Sequence, residues 1–146
     1  RCEADIAEWG FKFHMNDVCA AVGIENFQHM NNIVSKHKDN AAYYDLRLQN
    51  VKGVKLLKRE EGFESAFWIY SLLVDDRPSF YEYMKECNIM VSQVHERNDK
   101  HSCMEEFKSD LPKLEKTIDK IVSIPVGWWV TEEQRKYIVD CIRKWK

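Results

Sequence analysis

A chain of 146 residues that is 45% hydrophobic and 12% aromatic carries enough apolar material for one packed core, which excludes an intrinsically disordered segment. Its 22 basic and 24 acidic residues leave a formal charge of −2, so no field exists to gather nucleic acid or an anionic membrane, and any phosphate site must be local. There is no apolar run of about 18 residues and no charged-then-apolar leader, and Arg1 stands where an initiator Met would be expected, so the chain reads as a fragment of a longer soluble protein.

Residues 1–15 read as an extended lead-in carrying Trp9. Within it Phe11 and Phe13, two apart, point to one face of an extended backbone while Lys12 and His14 point to the other. Asn16 suits an N-cap, with Val18 or Cys19 as the donor to its side chain, and Asp17 adds negative charge at the positive end of the helix dipole. The local alternatives are an apolar anchor ahead of a capped helix, or an anion site built from Lys12, His14 and nearby backbone donors. From Val18 to Leu48 apolar residues recur at steps of three and four, which predicts one long amphipathic helix, kinked at Gly23 and on the order of 45 Å long. An arm of that length is suited to bridging two domains.

Asn50 and Gly53 end that helix, and residues 54–57 alternate like an edge strand. Residues 66–74, rich in aromatic and β-branched side chains, predict a central strand. Asp76 and Pro78 open a short helix with Phe80, Tyr83 and Met84 inward. Residues 89–94 predict a further strand that runs into the polar loop His95 to His101. Asp110 then caps a helix carrying Leu111, Leu114, Ile118, Ile121 and Val122, and residues 123–126 form a short extended piece. Trp128 and Trp129 are assigned to closing a core or an interface rather than to a stacking platform. Thr131 with Gln134 makes a capping box for the last helix, whose inner face is Tyr137, Ile138, Cys141, Ile142 and Trp145. This order predicts a small α+β fold with a short, mainly antiparallel sheet.

His95, Arg97 and His101 concentrate ligand-binding side chains on one loop after a strand. His95, His101 and Cys103 match no common zinc spacing, so no metal is expected. Cys19 and Cys103 have no recognisable base, which argues against a thiol nucleophile. The five cysteines include no Cys-x-x-Cys pair, and reduced thiols in a cytoplasm fit that set.

The run Gly10-Phe11-Lys12-Phe13-His14-Met15-Asn16-Asp17, followed by Val18 to Phe27, resembles the Gly-Tyr-Asn-Tyr-Arg-Met-Ser/Asn-Asp signature and the Gln-Ala-Ala-Leu-Gly-Leu helix of the DegT/DnrJ/EryC1/StrS sugar aminotransferases. These are fold-type I enzymes dependent on pyridoxal 5'-phosphate (PLP). The resemblance covers nearly the whole chain but only the C-terminal part of such an enzyme. It implies the small C-terminal α+β domain of a fold-type I enzyme with a long N-terminal helix, residues 1–49 forming the dimer-crossing segment and linking helix and residues 50–146 the small domain.

By the same resemblance Lys12 stands where a family Asn reaches across the dimer to the phosphate of the other subunit's PLP. An ammonium retains a donor there but changes the geometry. His14 replaces the usual Arg and removes bidentate recognition. The pair His95 and His101 keeps the separation of a family Val-His-Tyr-Pro-x-x-Leu-His loop near the sugar-nucleotide entrance, while the residues from Glu96 to Lys100 depart from that pattern. His95, Arg97 and His101 are thus the expected substrate contacts. The lysine that holds the cofactor covalently, and the Asp that holds its ring, belong to the large domain. No catalytic residue is therefore assigned within the chain, and the isolated fragment is expected to be inactive.

The expected function is that of the C-terminal domain of a homodimeric cytoplasmic aminotransferase that moves an amino group from glutamate to a keto-sugar nucleotide. The alternatives are a sugar dehydratase of the same family, in which His replaces the cofactor lysine, or a noncatalytic α+β binding module.

Overall fold

The computed structural model describes residues 4–13 and 15–145. His14, expected beside Lys12 on one face of the lead-in, lies outside the described residues. The elements run α1 (Asp17–Phe27), α2 (Met30–Arg47), β1 (Val54–Leu56), β2 (Tyr70–Val74), α3 (Arg77–Glu86), a 3-10 helix (Ser102–Phe107), α4 (Pro112–Ile118), β3 (Ile121–Ile124) and α5 (Glu132–Lys144). The three strands form one antiparallel sheet in the order β1-β2-β3, with Val54 opposite Val74 and Leu72 opposite Val122.

β2 is central, as its composition predicts, and Tyr70, Leu72 and Val74 are buried. Helices α2, α3 and α5 bring Ala41, Tyr44, Leu48, Phe80, Met84, Ile138, Val139, Cys141 and Ile142 to the same core. Each large side chain buried there contributes about 1.5–3 kcal/mol of transfer free energy. Two buried phenols are anchored at their polar ends. Tyr44 donates to the Pro125 carbonyl at 2.8 Å and Tyr70 to Asp45 at 2.6 Å.

The caps follow the sequence closely. Asn16 accepts from the Cys19 backbone at 2.9 Å, Asp76 accepts from Ser79 at 3.0 Å, and Thr131 with Gln134 closes both halves of the capping box. Gly53 is required by its backbone, with φ at +79° and Trp145 only 3.0 Å from where a Cβ would stand.

Five expectations need correction. The long helix is two, and the break lies at residues 28–29 rather than at Gly23, where His29 N–H bonds to Asn26 at 3.0 Å and tightens one turn. Residues 89–94 make only an isolated bridge between Ser92 and Ser123. Ile121 and Val122 start β3 instead of finishing a helix, because Val122 pairs with central Leu72 and is fully buried there. That shortened helix, α4, is capped by Leu111 without a side-chain bond, so Asp110 has no capping role. Trp128 and Trp129, expected to close a core or an interface, are 56% and 61% exposed and close no core within the chain.

Candidate functional site

The lead-in is extended, and its odd-numbered aromatics form a ladder. Trp9 meets Phe11 edge-on at 5.8 Å, and Phe11 meets Phe13 at 6.1 Å with a 46° tilt. All three are exposed, and α1, which follows, buries none of its residues. Lys12 occupies the alternate position of this strand and is exposed. Among the described residues it has no ion-pair or hydrogen-bond partner.

The start of the lead-in is clamped to the end of the polar loop. Cys103 N–H donates to the Ile6 carbonyl at 3.0 Å, and Ile6 N–H donates to His101 Nδ1 at 3.3 Å. Asp5 accepts from the Ser102 backbone at 2.8 Å and from the Ser102 hydroxyl. These Ser102 hydrogen bonds, with the nearby His101, hold the Asp5 carboxyl below the ordinary aspartate range. His101 Nδ1 thus stands between the Ile6 N–H and the Asp5 carboxylate, 3.9 Å from the latter.

The other loop side chains are largely committed to one another. Arg97 grips Asp99 through Nε and Nη2 at 2.9 and 2.6 Å and lies 3.8 Å from Glu115. Pairing lowers the Asp99 pKa and raises that of Arg97. Lys100 bonds Glu96 and lowers its pKa. His95 differs: it is exposed, and its ring stands 5.9 Å from that of Trp68.

The loop therefore presents His95 outward while His101 ties down the lead-in and Arg97 has its carboxylate-matching fork filled from within. The sequence alone missed Asp5, Trp68 and Glu115 as partners. Each is distant in the chain from the loop residue it meets, and no spacing rule links them. Asp99, two residues from Arg97, and Glu96, four from Lys100, are by contrast local partners.

Four described cysteines, Cys19, Cys87, Cys103 and Cys141, are free thiols. Among the described residues no group of three or more His, Cys, Asp or Glu side chains is gathered to hold a metal ion. No helix among them is long and apolar enough to cross a membrane.

For a phosphate-bearing cofactor the residues present fit one contact. Lys12 is an exposed cation with its ammonium unclaimed among the described residues. Of the free donors at the start of α1, the Cys19 N–H is taken by Asn16, and the Arg97 fork is taken by Asp99. Among the described residues of the lead-in, Lys12 is the cation that could supply a charge-assisted donor to such a group.

Comparison with known proteins covers nearly the whole chain. The profile of the DegT/DnrJ/EryC1/StrS aminotransferase family matches residues 2–143. Among solved structures, AtS13 from Actinomadura melliaura is 43% identical, with 97% of this chain and 38% of that one covered and a TM-score of 0.84. The sugar aminotransferase CalS13 from Micromonospora echinospora is 40% identical over 97% of this chain and 38% of its own, with a TM-score of 0.85. An uncharacterized protein of Methanocaldococcus jannaschii is 23% identical over 150 residues, 96% of this chain and 39% of its own. The chain thus spans about two-fifths of the length of these relatives.

Proposed function

The chain belongs to the DegT/DnrJ/EryC1/StrS aminotransferase family, and from that premise we propose that it is the C-terminal part of a PLP-dependent nucleotide-sugar aminotransferase. The observation that carries the reading is likeness at 43% and 40% identity over 97% of the chain to two solved structures, one of them a sugar aminotransferase. Residues 1–49 form the dimer-crossing segment and linking helix, and residues 50–146 the small domain. The exposed ladder of Trp9, Phe11 and Phe13, continued by Val18, Val22 and Ile24 on α1, supports a junction here, since a surface this apolar is normally covered. A second subunit and the large domain are its proposed cover. The free thiols fit a cytoplasmic homodimer.

PLP, when bound, supplies the electron sink through which an amino group passes from glutamate to the keto-sugar nucleotide. This chain's part is binding. Lys12 donates to the cofactor phosphate of the opposite subunit. The loop from His95 to His101 borders the nucleotide-sugar entrance, with His95 facing the substrate, Arg97 contributing charge already steadied by Asp99, and His101 fixing the lead-in that carries Lys12. The Asp5–Ser102 clamp sets where that lead-in leaves the small domain.

The test is made on the complete protein and on the chain alone. Joined to the part encoded before Arg1, the protein should aminate a keto-sugar nucleotide with glutamate. The 146-residue chain with added PLP should show neither turnover nor a stoichiometric site-specific absorbance change. In the complete dimer Lys12→Ala should weaken PLP retention by roughly 1.5–3 kcal/mol, the range for a charge-assisted hydrogen bond, and Lys12→Asn by less. Equal cofactor affinity in all three proteins eliminates the phosphate role, and turnover by the chain alone overturns the division of labour.

A further inference from the structure

The loop between β3 and α5 exposes Trp128 and Trp129, yet it is held from several sides. Asn40, buried on α2, aims its amide at the carbonyls of Val126, Gly127 and Val130 at 3.2, 3.1 and 3.4 Å. Its Oδ1 accepts from Arg135 at 3.3 Å. Val130 N–H closes the turn onto the Gly127 carbonyl at 3.0 Å. The indole of Trp129 lies against Gly127 so closely that a Cβ there would meet the ring at 2.3 Å, and it stands edge-on to His37 at 6.2 Å. Trp128 in turn meets Trp129 edge-to-face at 6.0 Å and 82°.

Folding alone does not call for this arrangement, because two rings left more than half in water return little burial for the order imposed on them. What it supplies is a pair of aromatic faces fixed before any ligand arrives. They line a groove of about 680 Å³ whose other wall is Tyr43, capped by the Arg135 guanidinium 4.7 Å from its ring, with Lys36 and Asp39 beside it. The groove therefore combines apolar rings with separate donors and acceptors.

Charge narrows the ligand class. The carboxylates of Asp39, Glu132 and Glu133 outnumber Lys36 and Arg135 along the groove, and the Thr131–Gln134 box takes two of the N–H donors at the start of α5. A phosphate or other anion is thus disfavoured. A purely apolar partner would strip water from five charged side chains without replacing its hydrogen bonds. A neutral ring with one apolar C–H face and hydroxyls around its rim meets both requirements.

We propose that this groove binds a neutral carbohydrate, its C–H face stacked on Trp128 and its hydroxyls bonded by Asp39, Lys36 and Arg135. This is a second carbohydrate contact beyond the nucleotide-sugar entrance assigned to the His95 loop, and its ligand bears no phosphate.

The indole N–H resonances of the 146-residue chain report the test during titration with methyl glucoside, methyl galactoside and maltose, with glucose 1-phosphate as the anionic arm. At least one neutral sugar should shift the Trp128 and Trp129 signals saturably and should bind more tightly than glucose 1-phosphate. Trp128→Ala, which removes an exposed ring, should weaken that binding by about tenfold or more, and Phe63→Ala, an exposed ring outside the groove, should leave it unchanged. Gly127→Ala should weaken it as well by displacing Trp129. Absence of binding by all three neutral sugars overturns the proposal, as does preference for the phosphate sugar or binding indifferent to Trp128→Ala. Concentration-dependent self-association of the chain that Trp128→Ala abolishes also overturns it, since the groove would then hold protein.

Discussion

Replacing Asn40 by Ala tests whether one buried amide holds the β3–α5 loop. The Nδ2 group has two hydrogens and three carbonyls in reach, those of Val126, Gly127 and Val130, so at most two strong bonds form at a time. The Gly127 carbonyl keeps the Val130 N–H after the change, while those of Val126 and Val130 lose the Asn40 donor. Each buried acceptor left unpaired costs about 1–3 kcal/mol, and partial access of water to this surface-proximal loop places the total at about 2–4 kcal/mol. For a chain of this length that corresponds to a fall of roughly 5–15 °C in Tm, out of a typical total stability of about 5–15 kcal/mol. Urea unfolding followed by circular dichroism measures the loss. Asn40→Asp should be worse than Ala at neutral pH, because a carboxylate would face three carbonyl oxygens with only Arg135 in compensation, and acid should relieve it by protonating the side chain. A loss below about 0.5 kcal/mol for Ala, the level of an ordinary surface change, or an Asp variant as mild as Ala, refutes the reasoning.

The Asp5 clamp should depend on acid. Since its folded pKa is depressed, the stabilisation is fully present above the ordinary aspartate value and is lost as pH falls through the lower folded one; exchange of the Ile6 and Cys103 amide protons should rise only there, and opening at or above the ordinary value would contradict it. Asp5→Ala should speed exchange of the same two amides at neutral pH without altering the melting of the core. Gly53→Ala should destabilise the chain by about 1–2 kcal/mol, because a Cβ at φ +79° is strained and would also crowd Trp145, and a melting curve identical to wild type would exclude that strain. Thr131→Ala should cost about 1 kcal/mol through loss of the capping box at α5, which chemical denaturation can resolve.

Local features were legible in the sequence because their physics is local. Asn16, Asp76 and Thr131 cap their helices through bonds that span three residues, and a side chain that short can reach little else. The composition of residues 66–74 likewise pointed to a central strand, of which Tyr70–Val74 forms β2 with Tyr70, Leu72 and Val74 buried. The family resemblance, the lead-in aromatics and Lys12 were also available from residue order alone. Tertiary structure decided what depends on distant partners. Ile121 and Val122 suit a helix or a strand equally by periodicity, and pairing with Leu73 and Leu72 made them strand. Arg97 and His101, expected as ligand contacts, take Asp99 and the Ile6 N–H as partners within the chain, and Asp5 reaches Ser102 from 97 residues away. Trp128 and Trp129 ended in water rather than in the core because Asn40, 86 to 90 residues earlier, pins the backbone that carries them. A hydrogen bond across that separation leaves no period in the sequence, so only the folded chain shows it.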